Sequence, residues 1–138
     1  MYSKPETFTY TFRQERQNME KVEICAYTHE YDGDGGSREP LLVLPESEID
    51  ALWTDILALD CHEFILLDSI LSYGSLVITI TYINGEIEMI GIYNIGWISA
   101  DGTLTTTLQR FGITEICAII IKYADEKILS EYSDYLRD

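Results

Sequence analysis

The chain has 138 residues, 46% of them hydrophobic, and carries a formal net charge of −15 at pH 7. This length is typical of a single globular domain spanning 1–138, and the apolar content excludes a disordered chain. The charge disfavours direct binding to nucleic acid or to an anionic membrane, because both depend on Lys and Arg contacts.

The apolar segments and the cysteines predict a cytoplasmic protein. The longest purely apolar run, residues 116–121, is far shorter than the ~20 residues of a membrane span. The N-terminal stretch lacks the apolar run of a signal peptide. Cys25, Cys61 and Cys117 are widely spaced, which favours buried, reduced thiols, with a single disulfide as the alternative.

The charge is unevenly distributed along the chain. No Lys or Arg occurs between Arg38 and Arg110. The acidic residues of that interval are Glu39, Glu46, Glu48, Asp50, Asp55, Asp60, Glu63, Asp68, Glu86, Glu88 and Asp101. Such a segment attracts basic partners, although acidity also serves solubility alone.

The N-terminal part predicts two strands. Residues 6–13 alternate between aromatic residues and threonine, as in a strand with one solvent-exposed face. Residues 21–28 alternate again. We expect these two segments to pair as an antiparallel hairpin.

Residues 29–39, HEYDGDGGSRE, predict an acidic, glycine-rich loop. Asp32 and Asp34 match the first and third ligand positions of a calcium loop. Gly36, Ser37 and Val43 then occupy positions that require an oxygen ligand, a glycine and a glutamate, which argues against calcium. The alternative function is a loop whose carboxylates contact a basic partner; these are Glu30, Asp32, Asp34 and Glu39.

A helix is predicted from Ser47 to residue 59, after a short apolar strand at 41–44. Ser47 is expected to cap it, and apolar residues recur with helical spacing. Its outer face carries Glu48, Asp50 and Asp55. Residues 62–71 fit a strand or a helical extension, and we prefer the strand.

Asn84–Gly85 lies between two alternating segments and predicts a hairpin with a two-residue type I′ turn. In this register Ile83 pairs with Glu86. One face of the hairpin would then carry Ile78, Ile80, Tyr82, Ile87 and Met89, and the other Thr79, Thr81, Glu88 and Ile90.

The C-terminal third predicts a second hairpin over residues 95–109, broken at Asp101–Gly102. The apolar run 116–123 is typical of a central buried strand. Asp125 is expected to cap a last helix. The fold class is therefore α+β, with an antiparallel-rich β-sheet of about six strands and two packed α-helices.

Motifs for catalysis, metal binding or cofactor binding are missing from the sequence. Cys61 and His62 are adjacent, but neighbouring strand residues point to opposite faces, so a Cys–His nucleophile is disfavoured. The cysteines and histidines lack zinc-ligand spacing. We therefore predict no catalytic residues, no metal and no cofactor.

We expect a non-catalytic acidic inhibitor, specifically an immunity protein that neutralises a basic toxin such as a nuclease. One alternative is a phage or plasmid inhibitor that mimics nucleic acid, anti-CRISPR-like in its action on a defence nuclease. Another is a small-molecule-binding domain or enzyme with a pocket near His62 and Tyr73. The candidate partner-binding residues are Glu30, Asp32, Asp34, Glu39, Glu48, Asp50, Asp55 and Trp97.

Overall fold

The computed structural model describes residues 9–28, 37–59, 75–91, 94–108 and 113–132. Within them an antiparallel sheet has the order β2-β1-β3-β4-β5-β6. The strands are β1 (Met19–Thr28), β2 (Ser37–Val43), β3 (Ser75–Tyr82), β4 (Ile87–Gly91), β5 (Asn94–Ile98) and β6 (Leu104–Leu108). The helices are α1 (Glu46–Leu57), α2 (Ile113–Tyr123) and α3 (Glu126–Glu131). The predicted α+β class is confirmed, with one helix more than expected.

One face of the sheet forms the hydrophobic core together with the helices. On β3, Leu76, Ile78, Ile80 and Tyr82 are all buried and belong to this cluster. Val22 and Ile24 of β1 lie opposite Ile80 and Ile78. The helices contribute Ile49, Leu52, Ile56, Ile116, Ile120 and Ile128. Because each such side chain gains ~1.5–3 kcal/mol on burial, this face provides much of the driving force for folding.

The opposite face of the sheet is also buried at several positions. Cys25, Val77, Thr79 and Met89 project there, and each is at most 6% exposed. Cys25 and Cys117 are both buried, as predicted for them. Burial is the main cause that raises the pKa of the Cys25 thiol, which leaves it weakly reactive.

The prediction for residues 6–13 is wrong in its pairing but right in its alternation. Residues 9–15 lie outside the strands, and β1 pairs with β2 and β3 instead. Tyr10 and Phe12 are nevertheless buried, whereas Thr9 and Thr11 are exposed. The segment is held by side-chain contacts, which produce the same two-residue periodicity as a strand ladder.

Helix α1 begins one residue earlier than predicted and without the expected cap. Pro45 occupies the N-cap position, so no side chain caps the helix. Ser47 lies inside the first turn. Glu46 and Glu48 lie in the same turn, where carboxylates interact favourably with the positive end of the helix dipole.

Residues 116–123, predicted as a central strand, form most of helix α2. Ile116, Ile119, Ile120 and Tyr123 are buried at helical spacing, while Ile121 is 43% exposed. The β-branched residues that suggested a strand are tolerated because one face of the helix packs into the core. Asp125 caps α3 as predicted, since its Oδ1 accepts a hydrogen bond from the Ile128 N–H at 2.9 Å.

The hairpin β3–β4 exists, but its register differs from the prediction by one residue. Tyr82 N–H donates to Glu86 O, and Gly85 N–H donates to Tyr82 O. The loop therefore contains three residues, with only Gly85 at positive φ (+93°), rather than a type I′ turn. Ile80 faces Glu88, which transfers Glu88 to the core side of the sheet.

The predicted second hairpin is confirmed by the pairing of β5 with β6. Gly102, at φ +91°, supplies the turn between them. Residues 29–36 of the predicted loop 29–39 and the ambiguous segment 62–71 lie outside the described residues, as do His29, Cys61 and His62. Residues 37–39 of that loop belong instead to β2, which begins four residues before the strand predicted at 41–44. None of the helices in the described ranges is long and apolar enough to cross a bilayer.

Candidate functional site

The predicted acidic residues are distributed over several parts of the structure. Glu30, Asp32 and Asp34 lie outside the described residues. Glu39 is exposed on β2, a strand at the edge of the sheet. Glu48 is half-buried in the first turn of α1. The described candidates therefore lie on separate elements: Glu39 on β2, the three α1 acids Glu48, Asp50 and Asp55, and Trp97 on β5.

Two carboxylates of α1 share one arginine. Arg16 Nε lies 2.8 Å from Asp50 Oδ1, and Arg16 Nη2 lies 2.9 Å from Glu46 Oε1. Burial of Arg16 works against its charge, but the hydrogen bonds to Glu46 and Asp50 raise its pKa above the ordinary value. The Glu46 and Asp50 side chains remain 79% and 69% exposed.

Asp55, further along α1, connects two helices. Lys122 Nζ of α2 lies 2.8 Å from Asp55 Oδ2, and the Tyr123 hydroxyl donates to the same oxygen. The hydrogen bond from Lys122, followed by that from Tyr123, lowers the pKa of Asp55. The Asp55 side chain is only 27% exposed. Its carboxylate therefore mainly connects α1 to α2 and is a poor candidate for contact with a partner.

The acidic residues between Arg38 and Arg110 are thus partly paired with cations from other parts of the chain. Arg16 and Lys122, from opposite ends of the chain, reach the carboxylates of α1. Asp101 accepts hydrogen bonds from Ser99 and Thr103 within its own turn, which lowers its pKa to about 2. Glu39, Glu46 and Asp50 nevertheless remain exposed.

Glu88 is the site residue that sequence reasoning missed. It is 0% exposed. Its Oε1 accepts the Arg13 backbone N–H at 3.0 Å and the Tyr82 hydroxyl, and its Oε2 accepts the Tyr10 hydroxyl. Burial and the hydrogen bond to Glu88 raise the pKa of Tyr82. A carboxylate only accepts hydrogen bonds, so three surrounding donors suit the side chain of Glu88.

Trp97 lies next to Glu88 on β5 and was predicted to contact a partner. Its ring is covered by the Arg13 guanidinium, whose central carbon lies 3.3 Å from the ring centroid. The indole Nε1 is buried and has no hydrogen-bond partner among the described residues. Its indole nevertheless contributes to lowering the pKa of Glu86, after the larger contribution of the Asn84 amide. Trp97 is therefore half-covered by the chain itself.

A groove of about 400 Å³ runs between residues 10–16 and helix α1. Phe12 stacks on Trp53 at 4.2 Å between ring centroids, with 13° between the planes. Leu57 adds apolar surface, and Arg13 contributes to the rim. Trp53 packs against the hydrophobic core and also lines this groove.

The signal that could have identified Glu88 lies in the turn. If Ile83–Asn84–Gly85 is taken as a three-residue loop, Glu88 lies opposite Ile80 on the core side of the sheet. A carboxylate buried there requires hydrogen-bond donors. Tyr82 is visible in the same hairpin, but Tyr10 and Arg13 are more than seventy positions away. Local patterns do not reveal such distant partners.

The described residues contain no group of three or more His, Cys, Asp or Glu side chains placed to hold a metal ion. The polar features that these residues do show are the exposed carboxylates Glu39, Glu46 and Asp50 and the buried Glu88. No family model, curated protein or solved structure matches this chain.

Proposed function

We propose that this chain is a non-catalytic binding protein whose exposed carboxylates at β2 and α1 contact a basic protein, as in an immunity protein that neutralises a toxin such as a nuclease. The observation that carries the proposal is the exposure of Glu46 and Asp50, 79% and 69%, despite their contacts with Arg16. Glu39 adds a third exposed carboxylate. We call these three residues the acidic surface.

The hydrogen-bonding capacity of the acidic surface supports this proposal. A carboxylate has two oxygens and about four acceptor sites. Arg16 contacts one oxygen each of Glu46 and Asp50. The remaining acceptor sites are available to Arg and Lys side chains of a partner, which form the stronger, charge-assisted class of hydrogen bond.

The net charge of −15 supports the same function through kinetics. Electrostatic attraction raises association rates by ~10–10³-fold when the partner carries the opposite charge. An inhibitor that must reach a toxin before the toxin acts gains directly from a faster association. The same attraction would serve a nucleic-acid mimic, which differs in needing carboxylates at phosphate-like intervals.

The groove beside residues 10–16 favours a second candidate function, the binding of a small molecule. Its volume of about 400 Å³ falls within the range of ligand pockets, and Phe12 and Trp53 give it an aromatic wall. A ligand there would not depend on the acidic surface, so the two functions are separable by mutation.

Charge-removing variants test the proposal. The tagged protein is used to capture partners from its native host, and association rates with any captured protein are measured from about 50 to 500 mM NaCl. We expect a basic partner and an on-rate that falls with salt. The double variant Glu46→Gln/Asp50→Asn should lower the on-rate at low salt by about threefold or more.

The matched control is Glu126→Gln/Glu131→Gln, which removes two exposed charges from α3. If this control lowers the on-rate as much as the α1 variant, net charge alone is responsible and the acidic surface is not the contact. A neutral partner, or binding that is indifferent to salt, would refute the proposal. Binding of a small molecule that Trp53→Ala abolishes would support the second function instead.

A further inference from the structure

The N-terminal residues 9–16, here called the strap, lie over β4 and β5 on the core side of the sheet without joining it. None of residues 9–15 belongs to a strand, and a single 3-10 turn at Arg16–Asn18 leads into β1. The strap shares no ladder of hydrogen bonds with the sheet and is held by side-chain contacts, which include the burial of Tyr10 and Phe12 in the core. Segments without such a ladder open more readily than strands.

Several side chains of the strap make specific contacts with the described part of the chain. Gln14 donates to Glu86 and to Asn84 in the β3–β4 turn. The Arg13 guanidinium lies on Trp97, and Phe12 lies on Trp53. These two tryptophans are the whole tryptophan content of the chain, so both indole rings report on the position of the strap.

The central attachment is Glu88, which receives donors from the strap and from the sheet. Tyr10 and Arg13 come from the strap, and Tyr82 comes from β3. In the sheet, Glu88 lies between Ile80 and Trp97, its neighbours on the adjoining strands. The nearby charged and titratable groups are therefore the tyrosines and the Arg13 side chain over Trp97.

Because Glu88 is a buried carboxylate, closure of the strap depends on the hydrogen bonds that Glu88 accepts. Removing a carboxylate from water is costly, and this cost is offset only while its hydrogen-bond donors are in place. When the strap lifts, Glu88 loses two donors but regains water. An apolar residue at this position would have no such gain on opening, because exposing it to water is unfavourable.

We infer that the strap is a reversible cover over β4 and β5, held closed by the buried Glu88 through Tyr10 and the Arg13 amide, and that it opens while the six-stranded sheet stays folded. Opening uncovers the faces of Trp53 and Trp97. This conformational device is independent of the proposed partner.

Hydrogen exchange measured by NMR tests this inference. In the wild-type protein, the Arg13 amide and the Trp97 indole N–H should exchange at least about tenfold faster than the Ile78 and Ile80 amides of β3. Glu88→Gln replaces one carboxylate oxygen with an amide donor, so one hydroxyl loses its acceptor. We expect it to accelerate strap exchange by a further tenfold or so, with β3 protection preserved.

The control is Glu20→Gln, which removes a charge from an exposed side chain of β1 that makes no described contact with the strap. It should leave exchange of the Trp97 indole within about twofold of wild type. Equal exchange rates for the strap and β3 would overturn the inference, because the strap would then open only by global unfolding. Unchanged strap exchange in Glu88→Gln would overturn it as well.

Tyr10→Phe provides the same test if Glu88→Gln does not fold. It removes one strap donor and keeps the ring that packs edge-on against Phe12. Its expected effect is faster strap exchange and increased quenching of tryptophan fluorescence by acrylamide. A Tyr10→Phe protein with wild-type exchange and wild-type quenching would show that Glu88 does not hold the strap.

Discussion

Gly85 and Gly102 show how single residues set the geometry of the two hairpins. Both adopt positive φ, at +93° and +91°, and an added Cβ would meet no atom within 4 Å at either position. The requirement for glycine is therefore conformational, because L-residues with a side chain are strained in this region. At Gly85 this conformation also determines the register that brings Glu88 to the core.

Gly85→Ala and Gly102→Ala should each lower the free energy of unfolding by about 1 kcal/mol, measured by urea denaturation. Ile83→Ala is the control, because Ile83 is 65% exposed and has ordinary backbone geometry. We expect that control to change stability by less than about 0.5 kcal/mol. A neutral Gly85→Ala would show that the three-residue loop does not require positive φ.

At the scale of elements, the ion pairs of Arg16 and Lys122 connect segments that are distant in sequence. Arg16 joins the residues before β1 to α1, and Lys122 joins α2 to α1. The β2 edge has features that discourage pairing with another chain: Pro40, exposed Glu39, and a register irregularity at Ile24/Cys25. Side chains rather than free backbone groups are therefore the natural contacts of this edge.

Asp55→Asn tests the connection between α1 and α2. It removes the ion pair with Lys122 and weakens the hydrogen bond from Tyr123, so we expect a loss of about 1 kcal/mol at pH 7. Because folding lowers the pKa of Asp55, its contribution is present above the unfolded value of about 3.9 and is lost as pH falls through the folded value.

The measurement is urea denaturation of wild type and Asp55→Asn from about pH 7 down to pH 3. The stability difference should stay constant to about pH 5 and shrink below about pH 4. Glu48→Gln, on the same helix but without an ion pair in the described part of the chain, is the control. A difference that grows as the pH falls would contradict the assigned role of Asp55.

At the scale of the whole molecule, a net charge of −15 means that carboxylates repel one another more than the few ion pairs compensate. We expect the melting temperature to rise by about 2–5 °C between 20 and 300 mM NaCl. Screening also weakens the pairs of Arg16 and Lys122, but exposed pairs contribute little. A melting temperature that falls with NaCl would show that these pairs outweigh the repulsion.

The sequence by itself determined the features that depend on neighbouring residues. The alternation in β1 and β3, the apolar stripe of α1, the Asp125 cap and the glycine turns all follow from local periodicity and backbone preference. They were sufficient for the α+β class and for a sheet of about six strands. The acidic character of α1 was likewise visible, because it requires only a residue count.

Only the tertiary structure decided which of these elements meet. The apolar run 116–123 lies in helix α2, where one face packs into the core and Ile121 and Lys122 are exposed. A high content of β-branched residues does not indicate such a one-sided burial. Arg16 and Lys122 neutralise acids 30 to 67 positions away, and Glu88 finds donors 75 and 78 positions away. Such contacts depend on chain topology, whereas a sequence pattern reflects only interactions between residues that are close in the sequence.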